Sequence, residues 1–284
     1  MEYTEIAKIL AESLPYIQKY RGKTIVVKYG GNAMIDEELK KYVINDLVLM
    51  KCVGINLVVV HGGGPFISSY LKKLNKESVF IDGLRYTDDE TMDIVQMVLS
   101  GKINKDLVKL IQSYGGKAIG LCGLDGAMIR AKKLSGKVDL GRVGEITEIN
   151  TEVIKNSIDN GYIPVISSVA LANDNEGVYN INADTCSYKI ASALKAQNLI
   201  LLTDVPGVMT DVKDPSTLIS ELKLKNVSKL YENNIIKGGM IPKINCCVEA
   251  IKSGVKSAHI IDGRVPHCLL VELFSKQGIG TMIY

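Results

Sequence analysis

Three short stretches set chemically able residues at the ends of apolar runs. "TIVVKYGGNAM" (24–34) stops a β-branched run at Lys28 and follows it with Gly30 and Gly31. "NLVVVHGGGP" (56–65) ends in His61 and three successive glycines, Gly62, Gly63 and Gly64, and "NLILLTDVPG" (198–207) ends in Thr203, Asp204 and Gly207. Glycines at the entry to a helix lack a Cβ and let backbone N–H groups close around an anion. A lysine beside them adds positive charge, so the chemistry these stretches suit is the binding of phosphate or carboxylate. Each also has a plainer reading: a triple glycine as a tight turn, a strand-end lysine as a solvated residue, His61 as support for its loop, and the vicinal Cys246-Cys247 pair as helix core.

The elements that must position these residues follow from apolar patterning. Six runs, 24–28, 56–60, 117–121, 162–167, 198–203 and 257–262, read as buried parallel strands. Residues 37–53 and 88–113 carry helical periodicity, with Leu39, Val43, Leu47 and Met50 on one face of the first and Met92, Val95, Leu99, Ile103, Leu107 and Leu110 on one face of the second. Alternating strands and helices predict an α/β sandwich, whose ligands bind beyond the carboxyl ends of the strands. Segments 127–149 and 170–181 read as hairpins that interrupt the alternation, so the sheet is expected to be mixed at its edge. Residues 1–22 predict an amphipathic helix with Thr4 as N-cap, with Ile6, Ile9, Leu10, Leu14 and Ile17 on one side, and kinked or broken at Pro15. Its apolar side must be covered by its own domain or by another subunit. A boundary is expected near 190–197.

Composition excludes several classes. With 284 residues, 46% of them hydrophobic, the chain can bury a substantial core. A net charge of +3 without a long basic run gives no support for nucleic-acid or membrane binding. Six cysteines without C-x-x-C spacing and three histidines without H-x-x-x-H spacing signal neither a metal site nor disulfides, and fit reduced thiols in the cytoplasm. The acidic N-terminus does not read as a signal peptide, and no run approaches the roughly 20 apolar residues of a membrane span. P-loop, dinucleotide G-x-G-x-x-G, protein-kinase, G-x-S-x-G and H-E-x-x-H motifs are all missing from the sequence. The anion site must therefore be of another kind.

Eight stretches in order, "VVKYGGNAM" 26–34, "VVVHGGGP" 58–65, "DGLRYTDDET" 82–91, "GLCGLDG" 120–126, "VYNINADT" 178–185, "LLTDVPGVM" 201–209, "GGMIPKI" 238–244 and "IIDGRVPH" 260–267, resemble the amino acid kinase family. The resemblance implies a three-layer αβα sandwich around a mainly parallel open sheet, with β-hairpins and an extra N-terminal helix. It also implies a division into residues 1–22, an acceptor-binding and dimerising lobe 23–195, and an ATP-binding lobe 196–284 on one continuous sheet. "GLR" after "HGGG", together with "NINAD", favours the branch that acts on N-acetyl-L-glutamate. The implied reaction moves the γ-phosphoryl group of ATP, with Mg2+, to the side-chain carboxylate of that acceptor. A carboxylate with a reference pKa near ~4.3 is already ionised at neutral pH, so no general base is required. What remains is anion–anion repulsion and the charge on the moving phosphoryl group.

By the same resemblance Lys28 and Lys243 are the catalytic lysines, and Asp184 holds them, its charge offsetting their mutual repulsion. Gly62, Gly63 and Gly64, Arg85, Asn180 and Asn182 fall to the acceptor, Arg85 as a planar fork for a carboxylate and Asn180 for the acetamido end. Gly30, Gly31, Thr203, Asp204, Gly207, Gly238, Gly239 and Met240 fall to ATP. The extra N-terminal helix is implied to interlace dimers into a hexamer, with an inhibitory L-arginine site at Tyr16, His259, Glu272 and Gly278. A signalling protein that relieves inhibition is a further implied partner. The alternatives are a relative with another acceptor, of the glutamate 5-kinase or aspartokinase type, and a non-catalytic arginine or nucleotide sensor.

Overall fold

The computed structural model describes residues 3–284, the side chains of Tyr3 and Ile6 excepted. Along the chain α1 (Tyr3–Tyr20) leads into β1 (Thr24–Tyr29), a 3-10 turn (Gly31–Met34), α2 (Glu37–Cys52), β2 (Asn56–His61), α3 (Gly64–Lys73), β3 (Phe80–Ile81) and β4 (Leu84–Arg85). Then come α4 (Asp89–Gln96), a π-helical segment (Met97–Ile103), α5 (Asn104–Ser113), β5 (Ala118–Cys122), β6 (Ile129–Lys133), β7 (Gly144–Ile149), α6 (Glu152–Asp159) and β8 (Ile163–Ser167). The chain continues through β9 (Val169–Ala172), β10 (Val178–Asn180), α7 (Ala183–Ala193), β11 (Asn198–Thr203) and β12 (Glu221–Leu222). It ends with α8 (Val227–Glu232), α9 (Met240–Lys252), β13 (Ser257–Asp262), α10 (Cys268–Phe274) and β14 (Thr281–Ile283).

Eight strands make one sheet in the order β12-β14-β13-β11-β1-β2-β8-β5. The six predicted apolar runs are its parallel strands β13, β11, β1, β2, β8 and β5. Alternate residues of one strand face opposite ways, so Ile25 and Val27 pack with Ile44, Leu47, Ile111 and Leu269 on one face. Val26, Val58 and Val60 pack with Ile154, Ile190 and Ile244 on the other. Helices thus cover both faces in three layers, which is why β2, β8, β11 and β13 are buried almost throughout. On the first face, the buried carboxylate of Asp46 in α2 lies 2.7 Å from Nδ1 of His267 and accepts from the Leu269 N–H at 3.3 Å, tying α2 to the start of α10. Burial pushes the Asp46 carboxyl up to about 6.

The structure departs from the sequence expectations at several places. Both hairpins form, but they build a separate sheet, β10-β9-β6-β7, and the main sheet is mixed through β14, antiparallel to β13. The alternating buried and exposed residues of β6 and β7 suit a ribbon with one wet face rather than a place among doubly covered strands. The helix expected over 88–113 is interrupted by the π segment, which contains the weak helix formers Ser100 and Gly101 and whose Ser100 hydroxyl pairs with Ser167 of β8 at 2.9 Å. In α1, Thr4 lies within the helix, so its cap falls outside the described residues, as does the Ile6 side chain. The helix also runs through Pro15 unbroken. Proline removes the donor that would satisfy the Ala11 carbonyl, but Ala11 is exposed, so the loss is not sealed inside the protein. Ile9, Leu10 and Leu14 are 56%, 66% and 51% exposed, while Tyr20 is buried and α1 rests on α10.

Candidate active site

The carboxyl ends of β11, β1 and β2, three neighbours in the sheet, carry the loops that the sequence singled out. At the end of β1 the Lys28 ammonium lies 3.0 Å from a carboxylate oxygen of Asp184, and both side chains are largely shielded. Lys28 folds back over the next turn: a Cβ on Gly30 would stand 2.7 Å from its Nζ. Gly31, at φ +73°, has no room either, since its Cβ would stand 2.6 Å from Oδ1 of Asp204. That oxygen already accepts the Asn32 N–H at 2.7 Å. Asp184 is aimed by α7, whose N-cap Asn182 accepts from the Asp184 and Thr185 N–H groups.

After β2 the glycine loop opens α3, with Gly63 as its cap and Pro65 in its first turn. Leu99 and Ile103 fill the space that a Gly63 side chain would need. His61 is fully buried, its Nδ1 3.0 Å from the Gly62 carbonyl and its Nε2 3.1 Å from the Asn104 amide nitrogen. Burial pushes its pKa down to about 4. A neutral ring that accepts at Nε2 carries its proton on Nδ1, so it donates to Gly62 and fixes the loop, in keeping with the supporting role.

Two cavities meet here. The first, about 230 Å³, is lined by Lys28, Gly30, Gly31, the triple glycine, Arg85, Asn180 and Asn182. Arg85 is 6% exposed, and burial pushes its pKa down. Its guanidinium donates to the Gly64 carbonyl and Ser68 hydroxyl at 2.9 Å each and to the Ser78 hydroxyl, and it lies over the Phe80 ring. Among the described residues no carboxylate pairs with it, so the cavity holds a buried cation without a counter-ion. Such a group is costly unless an anion arrives.

The second cavity, about 530 Å³, shares only Lys28 and Gly31 with the first. Thr203, Asp204, Gly207, Gly239, Met240 and Lys243 line it, while Gly238 stays outside its lining. Asp184 pairs with Lys28 alone: Lys243, one turn into α9, makes no ion pair with a described carboxylate. Lys237, which the sequence did not single out, adds a further ammonium group to the wall. No cluster of three or more His, Cys, Asp or Glu side chains among the described residues could hold a metal unaided.

Residues 23–262 match the model of the amino acid kinase family. The chain belongs to the amino acid kinase family. Acetylglutamate kinase of Clostridium kluyveri is 86% identical over 284 residues, 100% of both chains, and that of Clostridium beijerinckii 66% identical with the same coverage. Among solved structures, a Streptococcus mutans protein superposes with TM-score 0.74 at 28% identity, over 92% of this chain and 98% of its own. N-acetylglutamate synthase from Neisseria gonorrhoeae superposes with TM-score 0.84 at 23% identity, over 98% of this chain and 63% of that one, a likeness of fold.

Away from these cavities, three further candidates in this amino acid kinase meet at the C-terminal end. His259 Nδ1 lies 2.7 Å from Glu272, whose other oxygen accepts the Ile279 and Gly280 N–H groups at 2.8 and 3.0 Å. Burial alone would push the Glu272 carboxyl up, but His259 and the two amides together hold it below its ordinary value. Gly278 closes over it, with space for no Cβ beside Oε2. Tyr16 shares no hydrogen bond with them, although its helix α1 rests on α10, which bears Glu272.

Proposed function

We propose that the chain is an acetylglutamate kinase in which the two cavities hold acceptor and nucleotide and the γ-phosphoryl group crosses between them at Lys28. The observation that carries this reading is their meeting at Lys28 and Gly31 alone. In the first cavity Arg85 supplies the missing counter-charge for the acceptor's α-carboxylate, and the glycine-loop N–H groups face its reacting carboxylate. In the second, Gly31, Thr203, Asp204, Gly207, Gly239 and Met240 take the nucleotide, whereas Gly30, expected with them, lines the first cavity alone and Gly238 lines neither. Lys28 from one side and Lys243 from the other neutralise the charge that spreads over the phosphoryl oxygens, while Asp184 fixes Lys28. Residues 23–195 then form the acceptor lobe and 196–284 the nucleotide lobe. A divalent cation, Mg2+ in this reading, would be held mainly by the nucleotide's own phosphates and would screen their charge, since no cluster of three or more His, Cys, Asp or Glu side chains among the described residues could hold it unaided.

Regulation is part of the proposal. L-Arginine binds near Glu272, His259, Gly278 and Tyr16, and the exposed apolar side of α1 packs on another subunit to build a hexamer. The six cysteines are all free, which supports a cytoplasmic setting, and no helix among the described residues is long and apolar enough to cross a membrane. A signalling protein that relieves inhibition remains a partner to seek by pull-down from native extract. The test of the reaction is hydroxylamine trapping: ATP and N-acetyl-L-glutamate together should yield the acyl hydroxamate, and arginine should suppress it. No trapped product at saturating substrates would overturn the assignment, and product from glutamate or aspartate instead would transfer it to a relative.

A further inference from the structure

Thr87 lies just beyond β4, fully buried, in neither cavity lining. Its hydroxyl is 2.8 Å from the Arg85 carbonyl and 3.2 Å from the amide nitrogen of Asn180. A carbonyl oxygen only accepts, and the hydroxyl has one hydrogen, so that hydrogen goes to Arg85. What the hydroxyl then offers Asn180 is a lone pair, and a lone pair requires the NH2 end of the amide. The side-chain orientation of Asn180 is thus dictated by Thr87: nitrogen toward Thr87, carbonyl oxygen away from it.

The backbone around Thr87 leaves this hydroxyl little freedom. Its N–H donates to the Leu140 carbonyl at 3.1 Å, its carbonyl accepts the Arg142 N–H at 2.6 Å, and the Arg142 carbonyl accepts the Asn180 N–H at 2.8 Å. Gly141, at φ +70°, passes so close that a Cβ there would stand 2.2 Å from the Thr87 carbonyl oxygen. An ion pair at 2.5 Å between Arg142 and Asp89 holds the same loop to the start of α4. Arg85, Thr87 and Asn180 are therefore one clamped unit, although 93 residues separate the last two.

We propose that Thr87 is the positioning residue that sets acceptor specificity, by locking the Asn180 amide so that an oxygen, a pure acceptor, faces the cavity and reads the acetamido N–H. This rests on the assignment of Asn180 to the acetamido end. An unlocked amide can turn and present either a donor or an acceptor, and the site then loses its reason to reject a substrate lacking that N–H.

The experiment compares N-acetyl-L-glutamate with 2-acetoxyglutarate, its ester isostere with oxygen in place of N–H, in the wild type and in Thr87→Val, Thr87→Ser and Asn180→Leu. The wild type should prefer the amide in kcat/KM by about tenfold or more, the loss typical of an unpaired buried polar group. Thr87→Val should bring that ratio close to one through a raised KM for the amide, with KM for ATP within about twofold of wild type as evidence of an intact fold. Thr87→Ser, which keeps the hydroxyl, should restore the preference. A Thr87→Val enzyme with the wild-type ratio, or a wild type indifferent to the N–H, would overturn the proposal. If Asn180→Leu also keeps the wild-type ratio, the assignment of Asn180 itself fails; if only Asn180→Leu loses it, Asn180 stands and the role of Thr87 falls.

Discussion

Lys28 occupies its place because of two absences: no Cβ on Gly30 to push its ammonium aside and none on Gly31 to displace Asp204. Lys243 has no comparable restraint among the described residues, so the two lysines are unequal in how firmly they are held. Both should still matter for rate. Lys28→Ala and Lys243→Ala should each lower kcat about a hundredfold or more while KM for N-acetyl-L-glutamate shifts little, since each charge is needed most when the phosphoryl group is in flight. Initial hydroxamate rates at saturating substrates measure this, and near-normal turnover in either variant removes that lysine from the mechanism. Lys28→Ala should be the costlier to folding, because it strands the shielded Asp184 carboxylate beside an apolar side chain.

Among the elements, α2 and β2 carry two buried titrating groups that oppose each other. Native His61, with its pKa near 4 instead of 6.5, refuses a proton that the unfolded chain accepts, so its contribution is lost as pH falls from 6.5 to 4. Native Asp46, near 6 instead of 3.8, takes up a proton before the unfolded chain does, so its contribution grows as pH falls from 6 to 3.8. The two effects have opposite signs, so they offset each other as the pH falls. Urea melts at pH 6.5 and 4.5 should therefore find Asp46→Asn losing more stability on acidification than the wild type, and His61→Asn losing less. Parallel pH slopes for the two variants would refute the assignment. Strands such as β2 were legible in the sequence because burial on both faces demands unbroken apolar runs, and Lys28 and Lys243, proposed above as catalytic, because their motifs are local. The links from His61 to Asn104, from Asp46 to His267 and from Thr87 to Asn180 join distant parts of the chain, and nothing in a linear pattern announces them. The π segment escaped for a related reason: its apolar spacing passes for α-helix until Ser100 is seen bonded across to β8.

For the whole molecule, the exposed apolar residues of α1 are the feature a lone chain does not explain. Deleting residues 1–20 should leave hydroxamate formation near wild type, reduce the assembly below a hexamer and weaken arginine inhibition. Light scattering that still finds a hexamer removes α1 from assembly, and unchanged inhibition removes it from regulation. The active site itself is hung on β11, β1 and β2, hydrogen-bonded neighbours with Tyr29 in register with His61 and Lys28 with Leu201. Two strand spacings span roughly 10 Å, and the loops proposed to hold acceptor and nucleotide spring from the two outer strands of that trio. The sheet thus works as a ruler, whose graduation is the peptide hydrogen bond and not any side chain. Loops at either end can change their sequence, and so their ligands, without altering the gap across which the proposed reaction takes place.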